Sequence, residues 1–444
     1  MLDNTSIYLK SDTGKSALAD KFLNWHSWVL LGYALFGRGF SYLGVAPAYI
    51  GEITLLFGLF TLSINKSIPK LLKLPHAWFL ITFMVWCFLN TIPYFSIYGL
   101  DSIRDAALWY YGFFALIVAT LLLGKPKRFL FMVAQYERFC RIFIILIPFL
   151  WLIARFIPLP ALPGAGGVRI ITLKPADAMT HLSGITAFFI GSNLLQLQPL
   201  LFTFMFLVNL GVVALNANRA GTLAFLNAFS IISLAKYKSS KIWRIVTIII
   251  LIVVLTLIIN PNIFEPLINK VLSIFIDNNK SQGSKEYRLE WWTYLINTTF
   301  SDYFWTGRGF GFNLGAGTGF DPVGGGVVRS PHNGHVTVLS RAGVPGFVLW
   351  LLVQLSWAGS ILAKYLQCRR KGQTKWAGVF LTLLAYWVAS MTVTTFEVII
   401  EGPTGGIWLW TMYGVGLAAM QIYKRYPQIF DTEIESLESD VMLK

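Results

Sequence analysis

An all-α polytopic membrane protein of about twelve transmembrane helices, with one large outward loop holding short helices of its own, is the fold class this sequence predicts. Three observations predict it. The 444 residues are 55% hydrophobic and 16% aromatic but only 13% charged, a balance too apolar for an ordinary soluble domain. Long runs carry no charge at all, as in 106–123 and 344–363, each near the length needed to cross a bilayer as a helix. Continuous stretches such as "FFALIVATLLL" also break the inside/outside alternation of a membrane β-barrel.

Counted in order, the apolar runs fall at 24–43, 48–64, 76–92, 106–124, 139–157, 180–196, 199–216, 219–235, 243–260, 336–363, 376–395 and 404–423. Arg38 interrupts the first. The polar residues before that run show no small-residue cleavage site, so it is read as a retained span. Lysines and arginines set the orientation: the loops after the second, fourth, eighth and tenth runs hold 17 of them, while the short loops of the other parity hold only Arg38, Arg104, Arg155, Arg169, Lys174 and Arg219. By the positive-inside rule both termini are cytoplasmic, and the loop at 261–335, inserted between the ninth and tenth spans of a single membrane domain (1–444), faces outward.

Within that loop Phe264, Leu267, Ile268, Val271, Leu272, Phe275 and Ile276 repeat at helical spacing, predicting an amphipathic helix. "SKEYRLEWWTYLINTT" at 284–299 predicts a second, rich in interfacial aromatics. The following segment has nine glycines between 307 and 326, but no Gly-Lys-Ser/Thr follows and no strand precedes it, so a nucleotide loop is not expected. The net charge of +15 lies in short inter-helix loops, which argues for membrane lipid and against nucleic acid as a partner. Cys87, Cys140 and Cys368 form neither a disulfide framework nor a metal spacing. No cofactor is expected.

The candidate chemistry gathers at the outer boundary. Arg169, Arg219, Arg288, Arg308 and Arg329 stand there with His332 and His335. The carboxylates nearby are scattered, without the Asp-x-Asp pair that holds a divalent metal on a diphosphate. Arginines in excess point to an anionic ligand, and the guanidinium fork suits phosphate oxygens. In "LNANRAGTLAF" Asn218 is the expected N-cap, which would set Arg219, backbone amides and helix dipole on one anion; snorkelling to lipid headgroups is the alternative. His332 is either a helix cap or a base, since an imidazole of ordinary pKa takes a proton near neutrality.

From His332 the chain reads His-Asn, nine residues, then Gly343-Val344-Pro345-Gly346. This resembles the His-Asn-x9-Gly-x-x-Gly pattern of the O-antigen ligase and polymerase superfamily. The layout of spans, the outward arginine after the seventh and the arginine in "YRLEWW" are similar to it too. The resemblance implies a metal-independent inverting glycosyltransferase of the bacterial inner membrane, moving a glycan from undecaprenyl diphosphate to an acceptor hydroxyl on the periplasmic face. Arg219, Arg288 and Arg169 would stabilise the departing diphosphate, with Arg308 as a further substrate contact. His332 would deprotonate the acceptor, with Asn333 and His335 supporting it. Arg341 departs from the acidic or polar residue often found at its place and leaves the acceptor open. A ligase acting on lipid A core is favoured over a repeat-unit polymerase; a lipid-linked oligosaccharide flippase is the rival from another class, although the ionisable clusters lie at the boundary and not at mid-membrane depth.

Overall fold

The computed structural model describes residues 15–65, 68–192, 194–195, 198–215, 218–240, 243, 247, 279–320 and 328–431. Helices stand over the predicted apolar runs at Lys15–Phe36, Ile50–Ser63, Pro75–Tyr98, Gly112–Gly124, Lys127–Phe156, Pro175–Ser192, Pro199–Leu215, Arg219–Ala235, Gly334–Arg370, Thr374–Phe396 and Pro403–Arg425. The ninth predicted run lies almost wholly outside the described residues, and so does the amphipathic segment at 264–276. The aromatic segment of the loop forms the helix Asn279–Ser301, as its sequence predicts.

Proline and glycine mark several boundaries. Pro75 and Pro403 occupy the first turn of their helices, where the missing amide would have had no intrahelical partner. Gly99, with φ of 54°, stops Pro75–Tyr98 and starts the next turn.

Four of the described helices are long and apolar enough to cross a membrane: Pro75–Tyr98, Lys127–Phe156, Gly334–Arg370 and Thr374–Phe396. The bent pair Leu100–Tyr110 and Gly112–Gly124, at 41°, makes five if it is one span. Other predicted spans fall short for visible reasons. Ile50–Ser63 has 14 residues, which at ~1.5 Å each cover only part of a ~30 Å hydrocarbon core. Lys15–Phe36 covers only the first part of the 24–43 run and stops before Gly37, whose φ is 61°.

In lipid, helices gain little from hydrophobic burial against one another, so close packing must come from small residues. Pro175–Ser192 lies against Thr374–Phe396 and against Arg219–Ala235. At the first of these crossings Gly378 faces the backbone of Ser192, and a Cβ there would collide with it. Large apolar side chains coat the outside: Phe60, Val85, Leu89, Phe149, Leu152, Val348, Leu352 and Leu355 are all exposed. Such a coat is costly in water and neutral in lipid.

The bundle has two chemically different ends. At one, Asn218, Glu397, Ser330, Glu401, Asp105 and Gly311 meet. At the other, the Lys236 ammonium reaches the Gly191 carbonyl at 3.2 Å and the Lys70 ammonium the Leu123 carbonyl at 3.4 Å.

Candidate functional site

His332 is the one non-glycine residue with positive φ, 54°, among the described residues. A left-handed backbone at a histidine is strained, and such strain persists only where neighbours over-determine it. Those neighbours are identifiable. The Trp292 indole donates to the Pro331 carbonyl at 2.7 Å. The Asn333 Oδ1 accepts from the amides of His335 at 3.0 Å and Val336 at 3.1 Å, capping Gly334–Arg370. Ser330 donates to Glu401 at 3.0 Å and shares a hydrogen bond with Thr337 at 3.1 Å. The backbone on both sides of His332 is thus pinned.

The Trp292 anchor also explains why Arg288 arrives here. Four residues apart on one helix, the two side chains share a face. Arg288 and Lys174 both lie close enough to His332 to bias its protonation toward the neutral form, while Glu397 biases it the other way. Partial loss of water is the largest influence, and the imidazole ends below its ordinary 6.5. Its Nδ1 is buried without a hydrogen-bond partner among the described residues. A lowered pKa favours the neutral ring, the form a general base needs.

Glu397 ties this group to the start of Arg219–Ala235. The Asn218 amide donates to Glu397 Oε1 at 3.5 Å, and Asn218 Oδ1 accepts from the Gly221 amide at 2.7 Å. The expected N-cap is therefore present. Gly221 permits the close approach of the neighbouring helix: a Cβ there would lie 3.0 Å from the Ala176 Cα. Arg219 itself is exposed at the first position of its helix. Asp177, on the adjoining first turn, is influenced by Lys174, Glu397 and a hydrogen bond from Thr404, and loss of water raises its carboxyl above the usual range.

Behind His332 is a second, inward network. Arg341 is completely buried and pairs with Asp105 at 2.9 Å; Arg329 reaches the same carboxylate at 3.0 Å and Asp101 at 3.2 Å. Arg329 also donates to the Gly311 carbonyl at 2.8 Å, and the Gly311 amide donates back to Asp105 at 3.1 Å. Loss of water raises the Glu401 carboxyl, a shift that Arg341 opposes and Asp105 reinforces.

The remaining residues singled out by sequence take other positions. Arg308 is buried over the Tyr303 ring, 4.3 Å from its centroid, and donates to Thr298 Oγ1 at 3.1 Å. His335 accepts at Nδ1 from the Trp350 indole at 3.2 Å, facing into the bundle. Arg169 is exposed on the segment before Pro175–Ser192, and of that segment Lys174 is the cation beside His332. The structure thus gathers His332, Arg288, Lys174, Glu397 and Asn218. Lys174 escaped the sequence reading because one lysine in a short loop has no pattern. Glu397 was visible only as a carboxylate near the outer boundary.

The Gly-x-x-Gly element is a helix break. Gly343 has φ of 70° and ψ of −177° inside Gly334–Arg370. There the Arg308 amide takes the Ser340 carbonyl at 2.6 Å, Val344 donates to the Phe304 carbonyl at 2.8 Å, and the Trp86 indole takes the Ala342 carbonyl at 2.8 Å. Pro345 has no amide to lose. A Cβ at Gly343 would strike the Trp305 carbonyl.

Among the described residues no three His, Cys, Asp or Glu side chains gather as a metal site. Residues 204–351 match a family model described as O-antigen ligase. The match covers a third of the chain and takes in Asn218, Arg219, Arg288, His332 and the Gly343 break; Lys174, Asp101, Asp105, Glu397 and Glu401 lie outside it. No curated protein matches the chain.

Proposed function

From the premise that this chain is similar to the O-antigen ligase and polymerase superfamily through residues 204–351, we propose that it is a membrane glycosyltransferase using a glycan linked to undecaprenyl diphosphate. The acceptor hydroxyl attacks the anomeric carbon as the carbon–oxygen bond to the diphosphate breaks, with inversion. The acceptor's proton passes to His332, and the bonding electrons leave on the diphosphate. Arg288 and Lys174, with Arg219 at the adjoining helix start, stabilise that charge. The leaving diphosphate needs no protonation by an acid, and the step as written uses no metal.

One observation carries the reading: a strained histidine near enough to two cations and a carboxylate to feel their charges. The cations suit a diphosphate, and Glu397 suits an acceptor hydroxyl or an imidazolium. Asn333 holds the backbone beside His332, while Arg308, His335 and Arg169 are kept as substrate contacts only on the resemblance, since Arg308 lies over Tyr303 and His335 on Trp350. We place the site on the periplasmic face of a twelve-span protein of the bacterial inner membrane, with both termini cytoplasmic and 261–335 as the periplasmic loop. The favoured activity is ligation to lipid A core; the alternative is repeat-unit polymerisation.

The test is transfer by purified protein from a lipid-diphosphate-linked glycan to lipid A core or to a second repeat unit, in EDTA. Loss of transfer in His332→Ala and Arg288→Ala, with folding retained, supports the assignment, and the acceptor consumed separates ligase from polymerase. Full activity in both variants overturns the site. Absence of transfer to either acceptor favours a flippase.

A further inference from the structure

At the end of the bundle away from His332, the C-terminal ends of Pro175–Ser192, Arg219–Ala235 and Gly334–Arg370 border an open cavity of about 490 Å³. Lys236, Lys238 and Arg369 line it with Tyr237, Ser239 and Ser240, and no carboxylate lines it among the described residues. The turn that forms one wall is closed by the Ser239 amide donating to the Lys236 carbonyl at 2.7 Å.

Helix C-termini attract cations, which accounts for part of this charge. It does not account for all of it. Among the described residues Lys236 gives one hydrogen bond, to the Gly191 carbonyl at 3.2 Å, and an ammonium has three donors. Partial burial and the nearby Arg369 guanidinium push its ammonium below the usual lysine range, so the two cations repel each other across the cavity. Three cationic side chains and three hydroxyl-bearing ones around a polar hollow match a group with several anionic oxygens.

The surroundings indicate where that group comes from. Leu234 and Trp243 are exposed beside the turn, and the Trp243 indole donates to the Tyr237 carbonyl at 2.9 Å. Leu362 and Leu366, on the Arg369 side, are exposed as well. Tyrosine and tryptophan mark the headgroup level of a bilayer, and exposed leucines continue below it. We propose that the cavity binds a phosphate group, that of an acidic phospholipid headgroup whose acyl chains run along Leu234, Leu362 and Leu366.

The test measures thermal unfolding of the full chain in neutral detergent while phosphatidylglycerol, phosphatidylcholine or inorganic pyrophosphate is added. Phosphatidylglycerol should raise the midpoint of the wild type and phosphatidylcholine should not. The double variant Lys236→Gln/Arg369→Gln should need about tenfold more phosphatidylglycerol for the same shift, as expected when charge-assisted contacts are lost. Lys236→Arg/Arg369→Lys should respond as the wild type does, which guards against a folding defect. Lys73→Gln, at the same end but outside the cavity, should also respond fully. A shift with pyrophosphate as large as with the lipid would reassign the site to soluble phosphate and overturn the lipid source. An unchanged response in the double variant, or an equal loss in Lys73→Gln, would overturn the site altogether.

Discussion

Arg341 and Asp105 form an ion pair at 2.9 Å in which the arginine is fully enclosed and the aspartate nearly so. Arg341 lies eight residues after Asn333 on the helix that the asparagine caps, and Asp105 also holds Arg329, three residues before His332. The pair therefore locks the backbone on both sides of the histidine. Breaking a buried pair from one side leaves a charge without compensation, at about 3–5 kcal/mol. Asp105→Asn should lower the unfolding midpoint sharply in detergent. Asp105→Leu/Arg341→Met should recover most of the loss, because it removes both charges. A midpoint unchanged in Asp105→Asn would show that the pair does not hold this region.

The pH profile reads the surroundings of His332. As its folded pKa is below 6.5, transfer should stay on as pH falls past 6.5 and decline only at the lower inflection, where the base takes a proton. Glu397 raises that pKa and Lys174 lowers it. Glu397→Gln should move the inflection of kcat/KM down and Lys174→Met should move it up. Parallel shifts in the two variants would contradict the arrangement. The linkage to stability has the same sign: the unfolded chain takes up a proton near 6.5 while the folded one does not, so stability falls as pH drops from 6.5 to the lower value and levels off below it.

Asn333 offers a separate handle. Its Oδ1 accepts from two amides, and losing such a cap costs about 1 kcal/mol. Asn333→Ala should lower kcat more than it raises KM, because the strained turn at His332 relaxes while the anion-binding side chains stay in place. Asn333→Ser should restore most of the rate, since a hydroxyl also caps. Equal kcat in both variants and the wild type would remove the cap from the account of the site.

Gly343→Ala combines a positive φ with a collision at the Trp305 carbonyl. The backbone strain alone is of order 1–3 kcal/mol, so a marked loss of stability is expected in thermal unfolding. Gly372→Ala makes the comparison, because it too has positive φ, 69°, but nothing lies near its Cβ. If both lose the same stability, the collision contributes nothing.

Much of this arrangement was legible before any coordinates. Uncharged runs located the helices, because lipid leaves the backbone no other way to satisfy itself. Asn218 announces its cap by its type and place, and His332, Arg288 and Gly343 stand out by motif, but the run 336–363 reads as one continuous span and hides the break at Gly343. What escaped was long-range pairing. Nothing local marks Asp105 as the partner of residues more than 200 positions away, and Lys174 reads as one more loop lysine until the helix starts at Pro175 and Arg219 come together. The sequence-derived span lengths were also more uniform than the helices. A short helix such as Ile50–Ser63 is set by its neighbours, which hydropathy does not register.

The break at Gly343 bears on the order in which this protein is built. The Ser340 carbonyl and the Val344 amide complete their hydrogen bonds with Arg308 and Phe304, residues already synthesised when the helix beyond the break leaves the ribosome. Chain order thus makes the partners at 304–308 before the segment they hold, and a circular permutation that moves 304–308 after the helix would reverse that order.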